Sequence, residues 1–464
     1  MASLLGVSFD PNRLGHLSPQ SFSSISTDTR TLLPGSIFVA LRGETFDGSR
    51  FVEQAFAKGA VAAIIDHPIP SPPENVPPGS LWVVPDTLTA YQSIAHQWRQ
   101  HFQIPIIAIT GSAGKTSTKE MVAAALERFG PVLKSAANHN NDIGVAETLL
   151  KIEPHHRFVV LEMAMRGMGE IARLATTAAP THALITNIGT AHIGRLGSQL
   201  AIAQAKCELL QAGSLQAAIL NGEDDLLLTT AEGILTQPLR TFGLERGDVR
   251  GHWDPQAQTV IVDDVTLPIP LPGRHHALNW MSVVALVKQL GLDLAQLQEP
   301  VVLPEALQGR NQVIQLAGDI GLWDETYNAA PEAMIAALQA LCQVPQGVGR
   351  RGAVLGAMRE LGDHAPSLYA QVGSAVAHLP LDFVLLLDPD GEMDPLAQQV
   401  QGSQVFQTKA EVIEALVTQV QPGDQILFKA ARAVGLEQVM QGFIERHRSQ
   451  KAVMGSLSFH DRLE

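Results

Sequence analysis

The chain is poor in cysteine, with only Cys207 and Cys342 among 464 residues. Two thiols build no disulfide framework, and neither lies in a metal-type cysteine cluster, so a reducing, cytoplasmic compartment is expected. No stretch approaches about 18 consecutive apolar residues, which argues against a helical membrane span. Met1-Ala2-Ser3-Leu4-Leu5 runs quickly into Asp10 and Pro11, without the apolar centre of a secretory leader. Cations are also scarce: 32 Lys and Arg face 46 Asp and Glu, a net charge of −14. That balance disfavours a nucleic-acid surface. It leaves a phosphate-bearing small substrate open, because a local cradle works against the overall field. Internal repeats and low-complexity tracts are absent as well.

Hydrophobic residues make up 45% of the chain and charged residues 17%, the balance of a soluble globular protein with substantial cores. The length predicts about three domains.

The most informative segment runs from Ile106 to Lys119. An apolar run, Ile106-Ile107-Ala108-Ile109, ends in Thr110-Gly111-Ser112-Ala113-Gly114, and Lys115-Thr116-Ser117 opens a helical pattern through Met121, Ala125 and Leu126. Strand, glycine turn and helix N-terminus in that order make a phosphate cradle. Glycines let backbone N–H groups approach the oxygens, the helix dipole adds positive potential, and Lys115 adds a full charge. Thr116 would place its hydroxyl on a nucleotide-bound Mg²⁺. The usual spacing has four residues between the glycines, whereas here only Ser112 and Ala113 intervene. An ordinary glycine turn is the competing reading, and the flanking strand and helix cues favour the cradle. Gly111, Ser112, Ala113, Gly114, Lys115, Thr116 and Ser117 are thus the nucleotide-binding candidates, with ATP or GTP the expected ligand.

Around this segment, strand-like and helical runs alternate. Ile37–Leu41, Ala60–Ile65 and Leu81–Val84 are strand-like, Phe51, Ala55 and Phe56 fall at helical spacing, and the Pro-rich 68–78 stretch is a loop within this first unit. Boundaries are placed near His101–Pro105 and Pro300–Pro304, dividing the chain into 1–101, 102–302 and 303–464. In the middle unit, Phe158–Leu161, Ala183–Thr186 and Ala217–Leu220 are strands, with a helical stretch at Ser198–Leu210. That alternation predicts a largely parallel, doubly wound α/β sheet. Residues 250–272 have a hairpin-like pattern, and a helix follows over Ala277–Leu290. The last unit, with strand-like runs at Ile314–Trp323, Val354–Leu355, Phe383–Leu387 and Ile426–Phe428, predicts a second doubly wound α/β domain.

Polar residues end the apolar central strands. Glu162 closes one, Asn187 another, and His192 follows five residues on. The carboxyl ends of parallel strands line the ligand crevice. A carboxylate and an imidazole sharing a rim with Lys115 and Thr116 suit the divalent cation of ATP chemistry. Alone, Glu162 is equally explained as a turn cap and His192 as a solvated loop residue. Lys206 is locally an ordinary surface helix lysine. The cluster Asn138-His139-Asn140-Asn141-Asp142 is explained by turn chemistry as readily as by substrate binding, so Asn140 and Asn141 remain open as substrate residues.

Taken together, these segments resemble the Mur ligase family of cell-wall precursor synthesis over nearly the whole chain. Ser26-Thr27-Asp28-Thr29-Arg30, the Pro34–Glu44 run and Asp47-Gly48 resemble its UDP-sugar domain. Thr110–Thr116 resembles its shortened phosphate loop, and Lys119-Glu120-Met121, Asn140–Gly144, Leu161-Glu162-Met163, Gly169-Glu170-Ile171, Thr186–His192 and Ala205-Lys206 resemble its central domain. Thr326–Ala329 with Pro331, and Glu360-Leu361-Gly362, resemble the branch that adds a dipeptide; the Asp-Asn-Pro-Arg segment of the diaminopimelate-adding branch is absent.

The resemblance implies a small N-terminal α/β UDP-substrate domain, a central P-loop ATPase-like doubly wound sheet and a C-terminal Rossmann-like domain. It implies ATP-dependent joining of D-alanyl-D-alanine to UDP-N-acetylmuramoyl-tripeptide through an acyl phosphate, by a monomeric cytoplasmic enzyme using two Mg²⁺ ions. Lys115 would hold phosphates, Thr116 and Glu162 one metal, and His192 and a CO₂-carbamylated Lys206 the second, making Lys115, His192 and Lys206 the catalytic candidates. Asn279 would contact adenine, Arg310 and Asp324 would reach the nucleotide, and Asn328 would lie near the dipeptide. Ser26, Asp28 and Arg30 would serve the UDP substrate. Ala164, His276, Ala330, Ala357 and Lys429-Ala430-Ala431-Arg432 depart from the family's pattern, mostly in the third domain. A related amide ligase of folylpolyglutamate type, or a nucleotide-binding scaffold without ligase activity, are the alternatives.

Overall fold

Four β-sheets carry the architecture of the computed structural model, which describes residues 22–43, 45–303, 309–310, 312–343 and 349–460, with side chains to residue 449. Met1–Leu5, Asp10, Pro11, Glu44 and Pro304, used in the sequence reading, lie outside the described residues.

The first sheet is four-stranded and parallel, in the order β1 (Ile25–Ser26), β2 (Ile37–Val39), β3 (Ala62–Ile65) and β4 (Leu81–Val83). The helix Val52–Ala57 packs Val52, Ala55 and Phe56 beneath it; Ala55 and Phe56 were expected from their spacing, whereas Phe51 ends the preceding turn and is only partly buried. The Pro-rich stretch is an irregular loop between β3 and β4.

The second sheet has seven parallel strands: β5 (Ile106–Thr110), β6 (Val132–Lys134), β7 (Phe158–Glu162), β8 (His182–Ile185), β9 (Ala217–Asn221), β10 (Leu239–Gly243) and β11 (Val249–Arg250). Their order is β11-β10-β9-β8-β5-β7-β6. Both faces are buried, so the central strands are apolar throughout: Ile106 and Ala108 join one core cluster, Ile107 and Ile109 the other. The helices Lys115–Leu126 and Arg274–Gln289 cover the second face. The chain leaves β5 between β8 and β7, where strand order reverses. This is the switch point at which open parallel sheets bind ligands.

Residues 252–268 form a small antiparallel sheet, β12 (His252–Asp254), β13 (Thr259–Val262) and β14 (Val265–Pro268). The last sheet is six-stranded: β15 (Gln312–Leu316), β16 (Ile320–Glu325), β17 (Arg351–Gly356), β18 (Phe383–Leu387), β19 (Gln404–Phe406) and β20 (Gln425–Lys429), ordered β15-β16-β20-β17-β18-β19. The single run expected over Ile314–Trp323 is a hairpin. Gly318 (φ 94°) and Asp319 (φ 60°) turn the chain so that β15 pairs antiparallel with β16, while the other pairs are parallel.

Candidate active site

The turn after β5 has a shape only glycine permits. Gly111 sits at φ 150°, where an added Cβ would lie 1.9 Å from Thr186 Oγ1; Gly114 sits at φ 79°, with Asn279 Nδ2 2.8 Å from that position. The end of β8 clamps the loop. Ser112 N donates to the Asn187 carbonyl (3.0 Å) and Ala113 N to Asn187 Oδ1 (2.9 Å), while Thr186 Oγ1 (2.7 Å) and Asn187 Nδ2 (3.1 Å) donate to the Ala113 carbonyl. No side chain caps the helix that begins at Lys115, so its first N–H groups face the cleft. Lys115 Nζ folds back onto the Gly111 (2.9 Å) and Ser112 (3.3 Å) carbonyls. Burial pushes its pKa down, and the nearby Arg310 charge acts in the same direction against Glu162.

Ser112 through Ser117 line a cleft of about 470 Å³, a size suited to a nucleotide-scale ligand. Glu162, the last residue of β7, also lines it at 2% exposure. Asn140 Nδ2 donates to Glu162 Oε1 (2.7 Å); Oε2 is buried with no hydrogen-bond partner, and Lys119 Nζ lies 3.9 Å away. A carboxylate oxygen without a hydrogen-bond partner, in a cleft that Thr116 also lines, fits one divalent cation. Among the described residues no group of three or more His, Cys, Asp or Glu side chains converges as a ready-made metal cage.

His192 lines the same cleft from a left-handed turn (φ 69°) after β8. Its Nδ1 meets Glu360 Oε2 from the segment after β17. Burial lowers its pKa, with Glu360 opposing that shift and Lys115 and Lys206 reinforcing it. Lys206 is 2% exposed and does not line the cleft; its Nζ donates to the Gly111 carbonyl (3.0 Å). Burial, then the Lys115 charge, holds it well below the ordinary lysine range.

The opposite wall comes from the last sheet and its loops: Arg310, whose guanidinium lies 4.0 Å over the Tyr327 ring, with Asn328, Glu325 and Lys429. Lys429 Nζ donates to Glu325 Oε2 (3.0 Å) and the Asn328 carbonyl (3.2 Å). Asn279 lines the cleft beside Gly114, next to the buried His276. Asp324 stands behind this wall. Its oxygens accept from Gly309 N (3.1 Å), Thr326 N (3.1 Å) and Thr326 Oγ1 (2.7 Å), which anchors the turn carrying Arg310.

Two further groups lie outside the cleft lining. Asn141 caps the helix Asp142–Leu149, accepting from Gly144 N (2.9 Å). Ser26, Asp28 and Arg30 form a local knot at the first sheet. Ser26 Oγ donates to the Asp28 carbonyl (3.1 Å), and the Arg30 guanidinium grips the Asp28 carboxylate, lowering its pKa.

Sequence reasoning gave no role to Lys119, Glu332 or Glu360. Lys119 is fully buried one helical turn past Lys115, and donates to the Ser135 and Ala137 carbonyls (both 3.0 Å), ordering the strand end that carries Asn138 and Asn140. Its i+4 spacing from Lys115 was the available signal. Glu332, at the start of the helix Pro331–Gln343, has no local signature.

Comparison with known proteins gives the class. The chain matches the Mur ligase family catalytic domain over residues 21–166, the Mur ligase middle domain over 109–287 and the Mur ligase glutamate ligase domain over 309–432. It belongs to the Mur ligase family. Among relatives, it is 49% identical to the UDP-N-acetylmuramoyl-tripeptide–D-alanyl-D-alanine ligase of Synechocystis sp., covering 90% of this chain and 91% of that one. It is 33% identical to the Escherichia coli protein of the same name, covering 92% and 94%. A crystal structure of MurF from Acinetobacter baumannii superposes with a TM-score of 0.84 at 32% identity, covering 92% and 95%. MurF from Thermotoga maritima, solved in complex with ADP, gives 0.78 at 26% identity, covering 92% and 98%.

Proposed function

We infer that this chain is an ATP-dependent amide ligase that adds D-alanyl-D-alanine to UDP-N-acetylmuramoyl-tripeptide in peptidoglycan precursor synthesis. Near-complete coverage of relatives that carry this activity in their names supports the reading. The single observation that carries the chemistry is the switch-point cleft, with the phosphate loop on one wall and Arg310, Asn328 and Lys429 facing it.

In this reading, the backbone of Gly111–Ser117 and Lys115 hold the triphosphate, while Asn279 and Arg310 contact the nucleotide. Asp324 would act by fixing the Arg310 turn. The terminal carboxylate of the tripeptide takes up the γ-phosphoryl group, and the dipeptide amine displaces phosphate from the acyl phosphate so formed, leaving the amide. Bringing a carboxylate to a polyanion is the physical difficulty, and Lys115 and Arg310 offset it. Thr116 and Glu162 would hold one Mg²⁺, which supplies charge neutralisation on the phosphates.

A second ion assigned to His192 and Lys206 does not fit the unmodified amine, which is a donor engaged on Gly111. Carbamylation of Lys206 would replace that donor with an anionic oxygen. Asn328 and Asn140 would face the peptide substrates. Asn141 would serve the substrates through the helix it caps, and Ser26, Asp28 and Arg30 would act on the UDP substrate through the shape of their loop.

The partition 1–101, 102–302 and 303–464 is supported by the placement of each sheet's strands within one range. A monomeric, cytoplasmic enzyme completes the reading, and size-exclusion chromatography checks the first of these. The deciding experiment is phosphate release from ATP with UDP-N-acetylmuramoyl-tripeptide, with and without D-alanyl-D-alanine. Release that needs both substrates is expected. Release indifferent to the dipeptide, or driven by diaminopimelate or glutamate, overturns the reading.

A further inference from the structure

The turn that carries His192 is held by another part of the chain. Residues 189–195 follow β8 of the seven-stranded sheet, yet their partners come from the six-stranded body. On one side, Thr190 N (2.8 Å) and Thr190 Oγ1 (3.2 Å) donate to the Glu332 carboxylate. On the other, Glu360 Oε2 meets His192 Nδ1, Glu360 Oε1 lies 3.5 Å from Arg195 Nε, and Gly194 N donates to the Glu360 carbonyl at 2.9 Å.

Glycines make this approach possible. A Cβ on Gly194 would lie 2.5 Å from Gly362 N and 2.8 Å from the Glu360 carbonyl oxygen, and one on Gly189 would lie 2.9 Å from Glu332 Cδ. His192 (φ 69°) and Glu360 (φ 62°) both occupy the left-handed region. Side chains rarely adopt that conformation unless their surroundings enforce it. Here each is the other's surroundings.

We propose that Glu332 and Glu360 are positioning residues that grip the 189–195 turn from either side, so that His192 is presented to the cleft only while the six-stranded body is docked against the seven-stranded one. Two carboxylates, a backbone hydrogen bond and a glycine-to-glycine contact on one seven-residue turn make a clasp. The proposal rests on the function inferred above for its kinetic readout, and on geometry alone for its structural one.

Three variants of the full chain test it: Glu360→Gln, Glu332→Gln and Gly194→Ala. Gly194 lies in a short helix without positive φ, so alanine is tolerated locally and acts only as a wedge against Gly362. Fluorophores on cysteines placed at the exposed Lys151 and Gln398, in a Cys342→Ser background, report the distance between the bodies with saturating ATP analogue. Each variant is expected to broaden or lengthen that distance and to lower kcat about tenfold or more, while KM for ATP stays within about twofold and the unfolding midpoint is unchanged. Wild-type distance and wild-type kcat in all three variants overturn the clasp. A parent protein without dipeptide-dependent phosphate release refutes the inferred function instead, and the distance measurement still judges the clasp.

Discussion

Lys206 Nζ and Lys115 Nζ meet on one acceptor, the Gly111 carbonyl oxygen, at 3.0 and 2.9 Å. Two ammonium groups on one neutral oxygen repel each other strongly in a buried setting. Burial and this neighbour both drive Lys206 toward the free amine, and its pKa falls well below the ordinary value. A free amine is the nucleophile that carbon dioxide needs: the new N–C bond gives a carbamate and releases one proton. Lys206→Ala should therefore lower turnover by about 10- to 100-fold, and short carboxylic acids should partly restore it. Full parent activity in CO₂-free buffer, with no rescue of the variant, would refute carbamylation.

Lys115 lines the cleft whose opposite wall Arg310 completes, and it is the one charged side chain between Gly111 and Ser117, held on the Gly111 carbonyl. Lys115→Ala is expected to cut ligation by about 100-fold or more, read as coupled ADP release, because a preorganised charge on the transferring group is lost. Ordinary turnover in that variant would discredit the cradle.

Gly111→Ala forces a methyl onto Thr186 Oγ1, 1.9 Å from its position, at a φ of 150°. Destabilisation of about 1–3 kcal/mol and weaker binding of a fluorescent ATP analogue are expected. Adding Thr186→Ala should recover part of the loss, since the collision partner is removed. A double variant no better than the single one would place the strain in the backbone alone.

His182 begins β8, buried, with Thr181 Oγ1 2.9 Å from its Nδ1, and burial lowers its pKa to about 4. The unfolded chain takes up this proton near pH 6.5, while the folded chain resists until about pH 4. Stability from this site is therefore full above about pH 6.5, falls as pH drops through that window, and levels off below it. The total is on the order of 3 kcal/mol. His182→Gln should flatten this acid limb in denaturant titrations from pH 7 to pH 4. An unchanged limb would assign acid sensitivity to other groups.

The legible parts of the molecule were those where local pattern and tertiary role coincide. Glu162 and Asn187 stood out because each follows an apolar strand, and His192 because it shares their rim with Lys115 and Thr116; all three line the cleft. The central strands were legible because burial on two faces leaves continuous apolar runs. Lys206 was marked by resemblance alone: its burial comes from seating the helix Gln199–Cys207 against Gly111, which no neighbour in the sequence announces. Glu332 likewise acts across 142 residues of chain. Asn141 reads as a helix cap because its side-chain oxygen accepts from Gly144 N. Asp324 was singled out by resemblance, and in the structure its carboxylate holds the turn that carries Arg310. The hairpin at Gly318-Asp319 was concealed within an apolar stretch that looked continuous.

The two cleft walls are also far apart in the order of translation. Every residue that shapes the phosphate loop has emerged by Asn279, whereas Arg310, Tyr327 and Lys429 come later. Domains fold in turn as a chain leaves the ribosome. A half-made molecule thus has the complete phosphate-loop wall before any part of the wall opposite it exists.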